Sequence, residues 1–347
     1  MAVIRVGVVG IGFMGKTHMG IYARNKRAKL TAYCDFDARK VSGKFNGGGG
    51  NLGDPNDLGF DPAALSAYHK PEDLFADPNV DLIDICLPTY VHAEYTIKAL
   101  AAGKHVMCEK PLTVNLKDSD LIVAASKKSK GSLMPAHCMR FWPEWTWLKE
   151  AVQSKRYGNV HSATFKRFAS TPTWSANNWI LQPELSGSAL FDLHIHDTDF
   201  VRFLFGDPKS VFSVGNGGKA TKGGIDHIVT SYLYKDPRLM VVAEGGWNAD
   251  PSYPFTMRYT VVFDKATADF DIGRESGKLM LHKAGSKTAE VVKVSARNGW
   301  EDEIEYFLSC IQAGKKPKTI TAADARDSVA LVHAELKSAQ KRKIVKV

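Results

Sequence analysis

The sequence predicts an α/β protein built in two parts. The first is an N-terminal doubly wound parallel sheet of the Rossmann kind. The second is a C-terminal α+β domain with a mostly antiparallel open sheet. Three observations carry this reading. A glycine-rich turn, Gly10-Ile11-Gly12-Phe13-Met14-Gly15, stands between a strand-like run and a helix-like run. Strand and helix patterns then alternate to about residue 137, as parallel sheets require. Beyond that point strand-like runs follow one another with few helices between them. A chain of 347 residues suits about two domains of ~150 residues. We place the division as 1–137 and 138–347, with the final helix packing back on the first domain as an option.

Taken in order, "VIRVGVV" at 3–9 reads as a buried strand, and "KTHMGIYARN" as the helix after the turn. "KLTAYCDFD" is the second strand, ending at Asp35. In such a unit Gly10 permits the tight turn, Gly12 lets a pyrophosphate approach the backbone, and Gly15 lets helix and strand pack closely. The phosphates rest on N–H groups at the helix start. GxGxxG alone is a weak signal, but its place between strand and helix, with Asp35 following, makes it specific. Residues 43–60 are rich in Gly, Asn and Asp and read as a flexible surface insertion. The alternation resumes with "KPEDLFAD" (helix), "VDLIDICLP" (strand), "YVHAEYTIKALAAG" (helix), "HVMCEKPL" (strand), "LKDSDLIVAASKKSK" (helix) and "LMPAHCMRF" (strand).

A helix follows in "WPEWTWLKEAVQSKRYG". Six strand-like runs come next: "VHSATFKRFA", "SVFSVGN", "HIVTSYLY", "RLMVVAEGGW", "MRYTVVFD" and "KLMLHKA". Near the C-terminus Trp300, Ile304, Phe307, Leu308 and Ile311 fall at helical spacing, and Thr321 with Asp324 forms a capping box for a last helix.

Composition excludes several classes. No run approaches the ~18 apolar residues of a membrane span, and the N-terminus reads as a strand and not a signal peptide. Five scattered cysteines without a CxxC pair fit free thiols in a reducing cytoplasm and argue against a cysteine-built zinc site. The net charge of +9 is spread along the chain, so no nucleic-acid partner is expected; a small anionic ligand would also suit a positive field.

Two segments draw attention for chemistry. In "HVMCEKPL" a buried-looking strand ends on adjacent charges, Glu109 and Lys110, and then Pro111. Proline cannot continue a central ladder, so Lys110 falls at the strand's carboxyl end, the edge where open parallel sheets bind ligands. In "SGSALFDLHIHDTDFVRFLFG", residues 186–206, Leu190, Leu193, Phe200 and Leu204 form one helical stripe, and Asp192, His196 and Asp199 form another. Spacing alone is explained slightly better by a solvated face carrying a helical ion pair. His194 and His196 lie ~200° apart on a helix and cannot share a metal ion unless the segment is extended, so no metal is expected.

With these residues assembled, the chain resembles the Gfo/Idh/MocA family of nucleotide-dependent sugar and cyclitol oxidoreductases along essentially its whole length. The resemblance rests on "GIGFMG", on "VDLIDICLPTYVHAEYTIKALAAGKHVMCEKPL" at 80–112, on "GSALFDLHIHDTD" at 187–199, and on "PKTITAADARDSVALVHAELKSAQ". It implies a Glu-Lys-Pro lysine at the active site, matched by Lys110, and a helical Asp-x3-His, matched by Asp192 and His196. It implies a dinucleotide site drawing on Gly10, Gly12, Phe13, Met14, Gly15, Asp35, Pro88, Thr89, His92, Glu109 and Lys110. It implies a polyol pocket that includes Arg140 and His194, the latter standing where a small residue is usual. It further implies a homo-oligomer, dimer or tetramer, formed through the open sheet.

From this follows an expected NAD-dependent dehydrogenase acting on a secondary hydroxyl. Asp35 should favour NAD over NADP, because a carboxylate accepts from the ribose hydroxyls and repels a 2′-phosphate; Arg39 and Lys40 are the residues that argue the other way. Trp174 and Trp179, in "TPTWSANNWI", are expected either as an aromatic wall for a sugar or as anchors of a long loop. His196 is the first choice for general base and Lys110 the second, with three residues from two domains converging on one oxygen. A glycosidase that oxidises and re-reduces within one turnover, and a dinucleotide-binding sensor without turnover, use the same residues. The glycosidase makes no net NADH, and the sensor binds without turning over any polyol.

Overall fold

The computed structural model describes residues 2–45, 49–52, 58–275 and 277–347. The first strands and helices are β1 (Ile4–Val9), α1 (Phe13–Arg24), β2 (Ala28–Cys34), a short α2 (Ala38–Val41), β3 (Ser66–Tyr68), α3 (Pro71–Ala76), β4 (Leu82–Ile85), α4 (His92–Ala101), β5 (His105–Glu109), α5 (Leu116–Lys128) and β6 (Leu133–Ala136). All six strands run parallel in the order β3-β2-β1-β4-β5-β6. The order reverses between β1 and β4, which makes the carboxyl ends of those strands the topological switch point where such sheets bind ligands. β1, β4 and β5 are mostly apolar because both their faces are covered; Val6, Val8, Ile83, Ile85, Val106 and Met107 have no exposed surface. α5 opens on a side-chain cap, where Asn115 Oδ1 accepts from the Asp118 N–H (2.9 Å).

The remaining elements are α6 (Pro143–Gln153), β7 (Val160–Ser170), a short α7 (Pro183–Ser186), α8 (Ile195–Phe205), β8 (Ser210–Asn216), β9 (His227–Leu233), β10 (Met240–Ala249), β11 (Thr256–Phe263), β12 (Ala266–Asp271), β13 (Leu279–Lys283), β14 (Glu290–Val291), α9 (Gly299–Gln312), α10 (Ala322–Lys341) and β15 (Val345–Lys346). They contribute a nine-stranded sheet ordered β14-β13-β12-β11-β7-β10-β9-β8-β15. Its described pairings are antiparallel except β7 with β10. The predicted capping box forms at α10: the Thr321 N–H donates to Asp324 Oδ2 (2.9 Å) and the Asp324 N–H donates to Thr321 Oγ1 (3.1 Å).

The chain divides into two compact units, and a single cut after 137 is too simple. The first comprises 1–138, 173–179 and 300–329; the second comprises 139–172, 180–299 and 330–347. Each has its own core. That of the second unit centres on Trp145, fully buried, with the rings of Phe270, Tyr259 and Phe200 set edge-on at 4.6, 5.1 and 6.3 Å. Truncating a buried tryptophan removes its transfer energy and leaves a cavity, so Trp145→Ala should cost ~3–5 kcal/mol, read as a lower urea midpoint. A loss below ~1 kcal/mol would mean that this cluster does not hold the unit together.

The Gly-rich insertion lies partly outside the described residues, at 46–48 and 53–57. Its described parts pack closely. Phe45 meets Tyr33 edge-on at 5.1 Å, and Gly50 backs onto Phe13, where an added Cβ would lie 2.7 Å from the ring. At Gly50, then, the insertion adjoins the β1–α1 turn.

Candidate active site

In the first unit the site is built on the β1–α1 turn. Gly10 has φ +91, open to glycine at little cost, and a Cβ there would lie 2.6 Å from the Cys86 carbonyl oxygen. A Cβ on Gly15 would overlap the Gly10 carbonyl, so helix and strand meet there backbone to backbone. Gly12 is the opposite case: a Cβ would meet nothing within 4 Å, and Gly12, Phe13 and Met14 remain partly exposed. No side chain caps α1, and the first N–H groups of a helix have no partner within it. An open glycine cradle before an uncapped helix start fits a pyrophosphate.

Asp35 follows the end of β2 and is nearly buried. Its carboxylate accepts from the N–H groups of Ile11 (2.7 Å) and Asp37 (2.9 Å) and lies 3.2 Å from Lys40 Nζ. Asp35 therefore braces the glycine turn directly. Lys40 is engaged with Asp35, and Arg39 folds back onto Asp37 at 2.7 Å.

At the carboxyl end of β4, Pro88 is half-buried and Thr89 buried, at the head of a 3-10 turn, Thr89–Val91. His92 does not present a free nitrogen to a nucleotide. Its Nδ1 lies 2.9 Å from the Pro111 carbonyl and its Nε2 2.8 Å from that of Leu87. Burial pulls this imidazole down, against the two carbonyls that favour its charged form. His92 ties the loop after β4 to the loop after β5, a structural role in place of the expected direct contact. Across that tie stands Lys110, half-buried, with its N–H donating to Glu109 Oε2 (3.0 Å) and a cis bond to Pro111.

Trp174 and Trp179 belong to the same unit and are both half-buried. Trp179 meets the exposed ring of Tyr90 at 6.2 Å, beside the turn after β4. Two asparagines with positive φ, Asn177 and Asn178, make the bend before it, a conformation asparagine tolerates well.

In the second unit, Leu190–His194 form a π-helical turn that runs directly into α8. From Ser188 to Val201 every residue is buried except Asp192 and His196, which are half-buried. The third member of the expected stripe, Asp199, is turned inward: Arg140 grips it through Nε and Nη2, both at 2.8 Å. Asp197 is gripped in the same way by Arg167, at 2.9 and 3.1 Å. Arg140 thus anchors α8 within the unit. His194 is not a pocket residue. It is fully buried beneath Gly245, where a Cβ would lie 2.6 Å from its Nδ1, and its Nε2 lies 3.3 Å from Glu335 Oε2.

The sequence reading missed one constellation in the first unit. His18 of α1, Asp84 of β4, Glu109 of β5 and Glu303 of α9 are all buried and close together. Among the described residues, no helix is long and apolar enough to cross a membrane.

A Rossmann sheet with an open glycine cradle at its switch point defines a dinucleotide-binding class of protein. Comparison with known proteins makes the assignment specific. Residues 4–137 match the model of an oxidoreductase family with an NAD-binding Rossmann fold, Gfo/Idh/MocA, and residues 145–269 match the C-terminal domain model of the same family. The chain belongs to this family and is an NAD-binding oxidoreductase. It is 27% identical to the myo-inositol 2-dehydrogenase of Thermotoga maritima, over 99% of this chain and 98% of that protein. A solved probable dehydrogenase from Thermotoga maritima shares 26% identity over 99% of this chain and 98% of its own, with a TM-score of 0.80. A levoglucosan dehydrogenase solved with NADH and levoglucosan superposes over the full length of both chains with a TM-score of 0.83; at 20% identity it shows the shared fold.

Asp35 gives the first prediction about the cofactor. A carboxylate that braces the glycine turn and accepts hydrogen bonds should favour a ribose hydroxyl over a phosphate. The wild type should show the higher kcat/KM with NAD, and Asp35→Ser should lose most of that preference. A wild-type preference for NADP would contradict this, as would an unchanged preference in the variant.

Proposed function

We propose that this protein oxidises a secondary hydroxyl of a sugar, cyclitol or related polyol, with Lys110, Asp192 and His196 as its reactive side chains. One observation carries the assignment: along a stretch in which every other side chain is buried, Asp192 and His196 alone reach the surface. The family and the polyol named for the inositol dehydrogenase relative support the substrate class. NAD supplies the hydride acceptor. His196 removes the hydroxyl proton, since an imidazole titrates near working pH, at ~6.5 when unperturbed. Asp192 orients the imidazole or the substrate. Lys110 donates to the reacting oxygen and stabilises the negative charge that develops there.

Trp179, in this reading, packs against the C–H face of the polyol, as aromatic walls do in small-molecule pockets. Its half-buried ring against exposed Tyr90 supports this over a core anchor. Trp179→Ala should raise KM for the polyol and leave NAD affinity and the melting temperature in place; a fall in melting temperature alone would restore the anchoring role. The subunit contact we assign to the open face of the nine-stranded sheet, where Phe212, Val214, Val229, Leu233 and Met240 are exposed. The function itself is tested by a panel of polyols, with NADH absorbance as readout. Net NADH from at least one polyol supports a dehydrogenase. Cleavage of a glycoside without net NADH would favour the glycosidase, and tight NAD binding without turnover a sensor.

A further inference from the structure

The buried cluster behind Lys110 has three acids and one imidazole, and its hydrogen-bond donors are unequally shared. His18 Nδ1 lies 2.8 Å from Asp84 Oδ2, and the Tyr22 hydroxyl donates to the same oxygen at 2.9 Å. Glu109 accepts from the Lys110 N–H at 3.0 Å and has His18 Nε2 3.6 Å from its other oxygen. Glu303 has no exposed surface, and neither carboxylate oxygen has a hydrogen-bond partner among the described residues. Its carboxyl nevertheless aims into the cluster: one oxygen each from Glu303 and Glu109 and a ring nitrogen of His18 all lie within 4.8 Å of one another. A buried carboxylate without donors costs several kcal/mol, whereas a carboxylic acid brings its own donor. The proton of lowest cost in this cluster therefore sits on Glu303.

We propose that Glu303 is a positioning residue for Lys110 that works as a neutral carboxylic acid, leaving Glu109 as the carboxylate that holds the Lys110 turn. The charge ledger is then Asp84 and Glu109 negative, His18 positive and Glu303 neutral, with Lys110 beyond. The groups facing Glu303 are His18 and Tyr22 from α1, Asp84 from β4 and Glu109 from β5; Cys86, just after β4, meets Asp84 Oδ1 at 3.6 Å. Their electrostatics agree with the geometry. Burial, and then the charges of Glu109 and Asp84, push the Glu303 carboxyl well above the usual range. Burial opposes a charged His18, but Asp84 and Glu109 outweigh it and raise the imidazole. An ionised Glu303 would repel Glu109 and weaken its hold on the Lys110 N–H. This inference rests on the assignment of Lys110 as a reactive group.

Two measurements test it. In infrared spectra at pH 7.5, the unmodified enzyme should show the carbonyl stretch of a buried protonated carboxyl, sensitive to deuterium oxide and absent from Glu303→Gln. If that variant does not fold, Glu303→Asp, which should shift the frequency of the band and not remove it, assigns the band instead. No protonated glutamate at pH 7.5 overturns the proposal, as does a stoichiometric divalent metal in the purified enzyme that Glu303→Gln removes. The second measurement is the split between kcat and KM in two Glu303 variants, and a kcat for Glu303→Leu equal to that of the unmodified enzyme would overturn the proposal. Glu303→Leu should lower kcat roughly tenfold through a misplaced Lys110, with KM for NAD unchanged, and Glu303→Gln should recover most of it. If Lys110→Ala itself turns over normally, the role of Lys110 fails, while the infrared result on Glu303 stands independently.

Discussion

Lys110→Ala should lower kcat by roughly 10²–10⁴ with NAD affinity little changed. The lysine stands at the carboxyl end of β5, half-buried, where the strand stops at a proline. Its backbone is fixed on both sides. Glu109 accepts its N–H, and His92 holds the Pro111 carbonyl. The turn fixes where the side chain starts, and a cation brought there stabilises charge that develops only as the reaction proceeds. Because that interaction strengthens in the transition state, the loss should fall on kcat more than on KM. Lys110→Arg should recover only part of the rate, since a planar fork does not reproduce a point charge. Fluorescence titration with NAD separates the two effects; a large loss of NAD affinity with a normal kcat would make Lys110 a cofactor contact and not a reactive group.

His196→Ala should cost a similar roughly 10²–10⁴ in kcat, and Asp192→Asn should cost less, because Asp192 acts through orientation. The burial pattern argues for this pair. Asp197 and Asp199, on the same helix, are each gripped by an arginine and serve the fold. Asp192 and His196 are instead the two positions between Ser188 and Val201 that are not buried. His196→Gln, which keeps a hydrogen-bonding group of similar reach but cannot take a proton at this pH, should resemble His196→Ala if the imidazole is the base. Near-normal turnover in both variants would transfer the base role to Lys110.

Much of the first unit was legible because parallel strands covered on both faces write themselves as apolar runs, and the glycine turn has a backbone reason for each glycine. The second sheet was legible in class but not in detail. The strand Ala266–Asp271 was missed although Ala266, Ala268 and Phe270 alternate inward; two of its outward positions are Asp269 and Asp271, and aspartate is depleted in strands. The pair Val345–Lys346 is too short to carry a pattern, and only its register against β8 defines it. The π turn at Leu190–His194 was invisible, since apolar spacing does not report one extra residue in a helical turn. That turn, with the packing of Gly245 and Glu335, is what buries His194. Arg140 and His92 were chosen as site residues on resemblance, and the contacts that occupy them are tertiary. Glu303 did leave a signal. It lies four residues before Phe307 and next to Ile304, inside the apolar stripe of α9, and an acid in such a stripe marks a buried carboxyl. Asp84, an acid within the apolar run of β4, was the matching sign.

The central claim is direct transfer of hydride from a carbinol carbon to the nicotinamide, without return. The measurement that tests it most directly uses a turned-over polyol deuterated at the oxidised carbon. Mass spectrometry of the cofactor should find one deuterium per NADH formed, in an amount equal to the ketone produced. Deuterium recovered in the sugar or in solvent with no net labelled NADH would contradict the account.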